Sequence, residues 1–175
     1  MNTRVLSVVI SRAVLLAMAL TMLGCGDEGG AIGDPAPAVA GRCGDLSSTA
    51  MLRDTATQPT MTFPRGQKLS MEVAVTNNGS ANAVLTAGDP CTGVSFEVTN
   101  EAGQRVWGNR DGMSCEQLVT DYRFTPGQTI IWKAEWTQQT TSGGSVSRGN
   151  YVARAIDKTF QCGGALTAST GFTIQ

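Results

Sequence analysis

The chain has 175 residues, no histidine and a formal net charge of −1 at neutral pH. This length fits one ordinary domain with room for a hydrophobic core. A mildly acidic balance without basic runs argues against nucleic acid as a partner. The absence of histidine excludes His-based catalytic triads and removes most zinc sites.

Residues 1–24 are predicted to be an export signal. Arg4 and Arg12 are the only charges before Cys25, and an apolar run follows the second of them. That run has the length of a signal-peptide core and is too short to span a bilayer comfortably. Residues 22–25 read Met-Leu-Gly-Cys, which resembles the lipobox of bacterial lipoproteins. The resemblance implies cleavage before Cys25 and lipid attachment to it, so we expect an exported protein anchored to a bacterial membrane, at the periplasmic face or cell surface. An ordinary signal peptide with an incidental cysteine is the alternative.

Residues 25–41 are predicted to form a lipidated, flexible tether. They are rich in glycine, proline and alanine and have no hydrophobic periodicity. Such a segment cannot bury enough apolar surface to offset its ordering entropy. The folded domain is therefore expected to cover residues 42–175.

Short strands are predicted through that domain, because apolar and polar residues alternate with period two between turn formers. They cover residues 60–63, 69–75, 83–86, 94–99, 104–107, 124–136, 151–156 and 166–174, with the first and last at sheet edges. The clearest is 124–136, where Ile130, Trp132, Ala134 and Trp136 share one face. No long segment has a helical apolar stripe. The pattern predicts an all-β, antiparallel β-sandwich of about seven to eight strands, with a closed barrel as the structural alternative.

The cysteines other than Cys25 are even in number, which in an exported protein predicts disulfides. They are Cys43, Cys91, Cys115 and Cys162, and they allow three connectivities. A four-thiolate zinc site is the weaker interpretation, because no two of them have the close spacing of zinc knuckles. The acidic residues lack the spacing of a calcium loop, so neither a metal nor a cofactor is expected.

Six motifs occur in an order that resembles the intracellular proteinase inhibitor (BsuPI-type) domain, over roughly residues 66–157. They are Val73-Ala74-Val75-Thr76-Asn77-Asn78, Val94-Ser95-Phe96-Glu97-Val98, Gly103-Gln104-Arg105-Val106-Trp107, Thr125-Pro126-Gly127-Gln128, Trp132 to Trp136, and Gly149-Asn150-Tyr151-Val152-Ala153-Arg154-Ala155. The resemblance implies an immunoglobulin-like fold and inhibition of a serine protease. The export signal and the cysteines depart from the cytoplasmic setting that the family name describes.

The resemblance also implies a disulfide pairing. It places Cys91 at the start of the strand that contains Phe96, and Cys115 in the segment after the Val106-Trp107 hairpin, so these two cysteines are expected to be neighbours. Cys43 and Cys162 flank the core at its two ends and are expected to form the second disulfide.

We expect a membrane-anchored binding module that inhibits a subtilisin-like serine protease. Its candidate surface comprises the loops at residues 108–114 and 137–148, because loops on a rigid sandwich commonly carry recognition, although either loop could be only a solvated connection. The binding loop is placed in residues 108–114, at Arg110, Asp111, Gly112 and Met113, because Cys115 pins one end of it. Residues 137–148 are expected to be a long connection too mobile to inhibit well. The chain has no nucleophile elbow and no paired-carboxylate motif, so it is not expected to be an enzyme. The alternative is a structural lipoprotein that binds another envelope protein and inhibits nothing.

Overall fold

The computed structural model describes residues 33–88, 93–114 and 118–175. They form eleven strands. These are β1 (Gly41–Cys43), β2 (Leu46–Arg53), β3 (Thr62–Phe63), β4 (Leu69–Asn77), β5 (Ala83–Ala87), β6 (Val94–Asn100), β7 (Arg105–Gly108), β8 (Thr120–Phe124), β9 (Thr129–Trp136), β10 (Gly149–Asp157) and β11 (Ala168–Ile174). No helix in these ranges is long and apolar enough to cross a membrane.

Two sheets pack face to face, and a small third sheet accompanies them. The strand orders are β1-β2-β4-β9 and β3-β11-β10-β6-β7, with β5 and β8 paired separately. All named pairs are antiparallel except β3 with β11. The main core takes side chains from both larger sheets, such as Met71 and Val73 from one and Phe96 and Phe172 from the other. The predicted antiparallel β-sandwich is confirmed, with more strands than expected, and the immunoglobulin-like strand order stays a prediction.

Strand β9 has the two faces that its sequence predicts. Ile130, Trp132 and Ala134 are half-buried and Trp136 is fully buried, whereas the residues between them are exposed. Pairing of β9 with β4 sets Trp136 opposite Leu69 and Trp132 opposite Val73. The apolar face of β9 therefore packs inward against the five-stranded sheet.

Strand β2 is absent from the sequence prediction. Its inward positions are Leu46, Ser48, Ala50 and Leu52, and Ser48 is completely buried. The Ser48 hydroxyl donates to the carbonyl oxygen of Leu166 at 2.6 Å and accepts from the amide of Gly41 at 3.1 Å. Because the Ser48 hydroxyl has both a donor and an acceptor as partners, a serine can occupy this core position. Its polarity interrupts the period-two pattern of apolar residues in the sequence.

The amino-terminal part of the domain joins the two large sheets. Val39 exchanges two backbone hydrogen bonds with Ser169 of β11, and β1 then pairs with β2. At the crossing, a Cβ on Gly41 would lie 2.5 Å from the backbone carbon of Leu166, so only glycine fits. The flexible tether was predicted to end at residue 41, but it ends earlier, because residues before Arg42 already belong to the sandwich.

The last strand, β11, was expected to lie at a sheet edge, and the structure shows that it does not. Its free side is covered by β3 at Thr173 and Ile174, and by residues 36–39 along the rest of the strand. Strand β11 therefore lies inside the sheet, and the edge strand on this side is β3, as residues 60–63 predict.

A disulfide joins Cys43, the last residue of β1, to Cys162 in the turn before β11. It lies beside a second apolar cluster that contains Leu46, Leu85 and Leu166. This is the pair that the sequence analysis expects from the ends of the core. Cys25, Cys91 and Cys115 lie outside the described residues, and the Cys91–Cys115 pairing stays a prediction.

Asn77, the last residue of β4, has a structural role in the motif at residues 73–78. Its side chain is fully buried. The amide nitrogen donates to the carbonyl oxygens of Ala81 at 2.8 Å and Thr125 at 3.3 Å, and the amide oxygen accepts from the Gly79 backbone at 3.0 Å. One side chain thus fixes the turn after β4 to the Pro-Gly turn before β9.

Candidate functional site

The two loops singled out from the sequence lie next to each other. Residues 109–114 follow β7, the edge strand of the five-stranded sheet, and residues 137–148 connect β9 to β10. The amide of Thr141 donates to the carbonyl oxygen of Val106 at 3.0 Å, so the second loop covers part of the β7 edge. An open groove of about 860 Å³ runs between the loops, lined by Arg105, Asp111, Gly112 and residues 140–142.

Asp111 connects the two loops. Its carboxylate accepts hydrogen bonds from the guanidinium of Arg105 and from the hydroxyl of Thr141. These two bonds lower the pKa of the Asp111 carboxyl from its ordinary value, so the charged form persists as the pH falls below that value. Arg105 is also held by Glu97 on β6, with 3.4 Å between Nε and Oε2. A charge-assisted network thus braces the first loop against both its sheet and the second loop.

Asn109 and Arg110, at the start of the loop after β7, form hydrogen bonds to strand β6. Asn109 exchanges hydrogen bonds with Phe96, accepting at its side chain at 2.8 Å and donating from its amide at 3.0 Å. The guanidinium of Arg110 donates to the carbonyl oxygen of Val94 at 3.2 Å. The guanidinium of Arg110 is therefore directed toward β6.

The second half of the loop is presented to solvent. Gly112 has φ +74°, a left-handed conformation that glycine adopts without strain. Met113 follows with 57% of its surface exposed, and its amide donates to the carbonyl oxygen of Arg110 at 3.1 Å. A large apolar side chain thus stands exposed at the end of a hydrogen-bonded turn.

Residues 137–148, expected to be a long mobile connection, are anchored by hydrogen bonds and by one core residue. Gln138 is buried, and its side chain accepts from the Gly66 amide at 2.7 Å and donates to the Pro64 carbonyl oxygen at 2.9 Å. Residues 140–144 close a tight turn, in which the Thr140 amide donates to the Gly144 carbonyl oxygen at 2.7 Å. Val146 then enters the main core. The polar composition of the segment hides these long-range anchors.

The domain model described as intracellular proteinase inhibitor, BsuPI, matches residues 55–161, which is more than half of the chain. The chain belongs to the BsuPI family. The match runs from the turn after β2 to the turn after β10, so it includes both loops and the Asp111 network. Strands β1, β2 and β11 lie outside the matched residues and complete the sandwich around the BsuPI region.

No curated protein matches this BsuPI chain. Among solved structures, the C-terminal domain of wzt is 10% identical, with 79% of this chain and 78% of that chain covered and a TM-score of 0.47. The β-glucosidase EmGH1 from Erythrobacter marinus is 13% identical, with 74% and 16% covered and a TM-score of 0.41. The Pseudomonas fluorescens alkylpurine DNA glycosylase AlkC is 11% identical, with 72% and 30% covered and a TM-score of 0.40. This chain thus spans about a sixth of the β-glucosidase, and none of these similarities assigns a function.

The predicted binding residues of this BsuPI domain separate into two roles. Arg110 and Asp111 form internal hydrogen bonds that shape the loop, whereas Gly112 and Met113 form its exposed end. Arg105 and Thr141, which hold Asp111, are not among the binding residues predicted from the sequence. The only local signal for Arg105 is that it lies six residues before an acidic residue, and nothing near Thr141 in the sequence indicates its role.

Proposed function

We propose that this BsuPI-family chain is a membrane-anchored, extracytoplasmic inhibitor of a subtilisin-like serine proteinase, and that Met113 is a principal contact. One observation carries the assignment of the loop. Asp111 holds residues 109–113 by bonds to Arg105 and Thr141 while Met113 stays exposed. Family membership supports the inhibitory activity.

An inhibitor has to present a side chain that is already in its bound position. Immobilising one flexible interface side chain costs about 0.5–1.5 kcal/mol, and ordering a backbone segment adds to that cost. In this loop the backbone is already hydrogen bonded to β6, to Gly108 and within itself. Met113 supplies a polarisable, apolar side chain that adapts to an apolar pocket. The loop therefore combines a fixed backbone with an adaptable contact.

Substitutions in the loop test this assignment. Replacing Met113 by alanine is expected to raise the inhibition constant for subtilisin about tenfold, because an exposed apolar anchor is lost. Asp111→Ala is expected to raise it roughly three- to tenfold by removing the brace without removing the contact. The measurement is a titration of proteinase activity with the full chain in detergent. Met51→Ala is the matched control, because Met51 is an exposed methionine on β2, in the other large sheet.

Equal inhibition constants for wild type, Met113→Ala and Asp111→Ala would show that another surface contacts the proteinase. A full chain that inhibits neither subtilisin nor any envelope proteinase would favour a structural lipoprotein that binds another envelope protein.

The anchor is a separate part of the proposal and rests on the residues around Cys25. Cys25→Ala is expected to move the protein from the detergent phase to the aqueous phase in phase partitioning, because acyl chains on that cysteine supply the membrane affinity. Thr21→Ala, which leaves the cysteine in place, is the control and should partition like wild type. If Cys25→Ala stays in the detergent phase, the lipid-anchor proposal is wrong.

A further inference from the structure

Strand β9 lies at the edge of the four-stranded sheet and pairs with β4 on one side only. Among the described residues, no backbone hydrogen bond reaches its other side. A strand with an uncovered side presents N–H and C=O groups that can pair with a further strand. Strand β9 therefore offers a backbone interaction surface that is separate from the 109–114 loop.

The other edges of the two large sheets are short or covered. Strand β1 has three residues, β3 has two and β7 has four. The hydrogen bond from Thr141 to Val106 also covers part of β7. Strand β9 has eight residues, contains no proline and pairs with β4 without a register shift. In the part of the chain that the structure describes, β9 thus lacks the short length, proline, bulge or covering loop that commonly blunt an edge strand.

The hydrogen bonds of Asn77 show which backbone groups of β9 face the uncovered side. The Asn77 amide donates to the carbonyl oxygen of Gln128 at 3.0 Å, and the Asn77 carbonyl oxygen accepts from the Gly127 amide at 2.9 Å. In an antiparallel pair, the hydrogen-bonded positions alternate along each strand. By the register of β4 with β9, the even-numbered residues 130–134 therefore bond to β4. The N–H and C=O groups of the odd-numbered residues 131–135 face the uncovered side.

Lys133 and Glu135 place opposite charges on the outer surface of β9. Lys133 Nζ lies 2.6 Å from the Glu72 carboxylate on β4, and Glu135 accepts from Lys68 at 3.0 Å. Both β9 side chains are nevertheless more than half exposed. A lysine on an edge strand usually opposes pairing, because an incoming strand has to accommodate its charge. Pairing with β9 is therefore favourable for a strand that places a carboxylate opposite Lys133 and a cation opposite Glu135.

A second copy of β9 meets this requirement in one register. In a two-fold antiparallel pair, each contact occurs twice, once in each direction. When Ala134 lies opposite itself, Lys133 of each copy lies opposite Glu135 of the other, which gives two attractive charge pairs. Centring the pair on Lys133 instead brings the two lysines together. Centring it on Ile131 sets Lys133 opposite the uncharged Thr129.

The same register also matches the backbone groups of the two strands. Residues 133 and 135 both face the uncovered side, so their pairing in both directions forms about four backbone hydrogen bonds. Ala134 then lies at a position without hydrogen bonds, where opposite Cα atoms come within about 4.5 Å and a small side chain fits. We infer that β9 joins two copies of this chain in an antiparallel pair centred on Ala134, which makes one continuous sheet of their two four-stranded sheets.

The charge pairs are tested by sedimentation equilibrium of the full chain at tens of micromolar in density-matched detergent. Wild type is expected to be a dimer. Glu135→Lys sets a lysine opposite Lys133 in both charge pairs and is expected to raise the dimer dissociation constant at least about tenfold. Glu101→Lys is the matched control, because it makes the same charge reversal at an exposed position in the turn after β6 and should dimerise like wild type.

A mixing experiment separates lost charge pairing from lost folding. Lys133→Glu alone is expected to dimerise as poorly as Glu135→Lys, because carboxylates then lie opposite each other in both charge pairs. An equal mixture of the two variants should form a heterodimer, since each copy supplies the charges that the other lacks. Thermal unfolding shows that both variants are folded before they are mixed.

Cysteine cross-linking tests the register. Ala134→Cys is expected to give a disulfide-linked dimer under copper–phenanthroline oxidation, because Cα atoms about 4.5 Å apart lie within the disulfide range. Ile131→Cys is the control. Ile131 is more exposed than Ala134, but its counterpart in the second copy lies about 20 Å away along the strand, so it should not cross-link.

A wild-type chain that is monomeric would overturn the inference. A dimer that Glu135→Lys leaves intact would also overturn it, as would an equal mixture of folded variants that stays monomeric, because the copies would then meet through another contact. Cross-linking of Ile131→Cys in place of Ala134→Cys would reject the register. If Lys133→Glu does not fold, Glu135→Lys and the two cysteine variants still decide. No proteinase is present in these measurements, so their outcome does not depend on the proposed function.

Discussion

Replacing Cys43 and Cys162 together by alanine is expected to lower the free energy of unfolding by about 2–5 kcal/mol. The two cysteines are separated by 119 residues in sequence, so their disulfide closes a very long loop of the unfolded chain. In the loop-entropy model, a cross-link of this span restricts the denatured ensemble strongly. It also fastens β1 to the turn before β11, where the amino-terminal segment crosses between the sheets. The measurement is chemical denaturation under non-reducing conditions.

Two controls separate this effect from side-chain packing. The single variants Cys43→Ala and Cys162→Ala should each be about as unstable as the double variant, because either one abolishes the cross-link. Non-reducing peptide mapping of wild type should recover the Cys43 and Cys162 peptides linked. A double variant as stable as wild type, or a peptide linking Cys43 to Cys91, would contradict the observed pairing.

Trp136→Ala is expected to cost about 3–5 kcal/mol of unfolding free energy, the usual range for removing a large buried aromatic side chain. Trp136 is 1% exposed and lies at the centre of the aromatic core. Its ring centroid is 6.1 Å from Trp107 and 6.2 Å from both Tyr151 and Phe172. The indole nitrogen donates to the carbonyl oxygen of Gln139 at 2.7 Å, which links this core to the second loop.

Trp136→Phe is the matched variant, because it keeps an aromatic ring and loses the hydrogen bond. It is expected to be less destabilising than Trp136→Ala in the same urea titration. If both variants unfold at the wild-type midpoint, the aromatic core does not depend on Trp136, and the packing described here is wrong.

The sandwich could be predicted where its signals are local. The faces of β9 follow from four alternating residues, Ile130 to Trp136, and the structure places them as that alternation requires. Strand β2 could not be predicted, because the inward position at Ser48 is polar. The cost of burying the Ser48 hydroxyl is compensated by its hydrogen bond to the carbonyl oxygen of Leu166, which is 118 residues away in sequence. A period-two argument fails where a hydrogen bond replaces an apolar contact.

For residues 108–114 the sequence predicts a surface loop but not the hydrogen bonds that shape it. The turn residues after β7 correctly indicate a surface loop, and Met113 is exposed as expected. The sequence does not predict that Arg110 and Asp111 bond to Val94, Arg105 and Thr141, and their contact with a partner stays a prediction. Similarly, Gln138 is anchored to Pro64 and Gly66, more than seventy residues earlier. Such partners become neighbours only when the strands have paired. For this reason, the polar composition of the loops predicts mobile connections and does not indicate these hydrogen bonds.

Inhibition of a serine proteinase by the full chain can be measured directly. Subtilisin activity is titrated with increasing amounts of the full chain in detergent, and the mixture is then separated by size-exclusion chromatography. We expect a saturable loss of activity at equimolar inhibitor and an intact complex of the two proteins. Full proteinase activity in the presence of a micromolar excess of the chain, with no complex or with the chain degraded as a substrate, would contradict it.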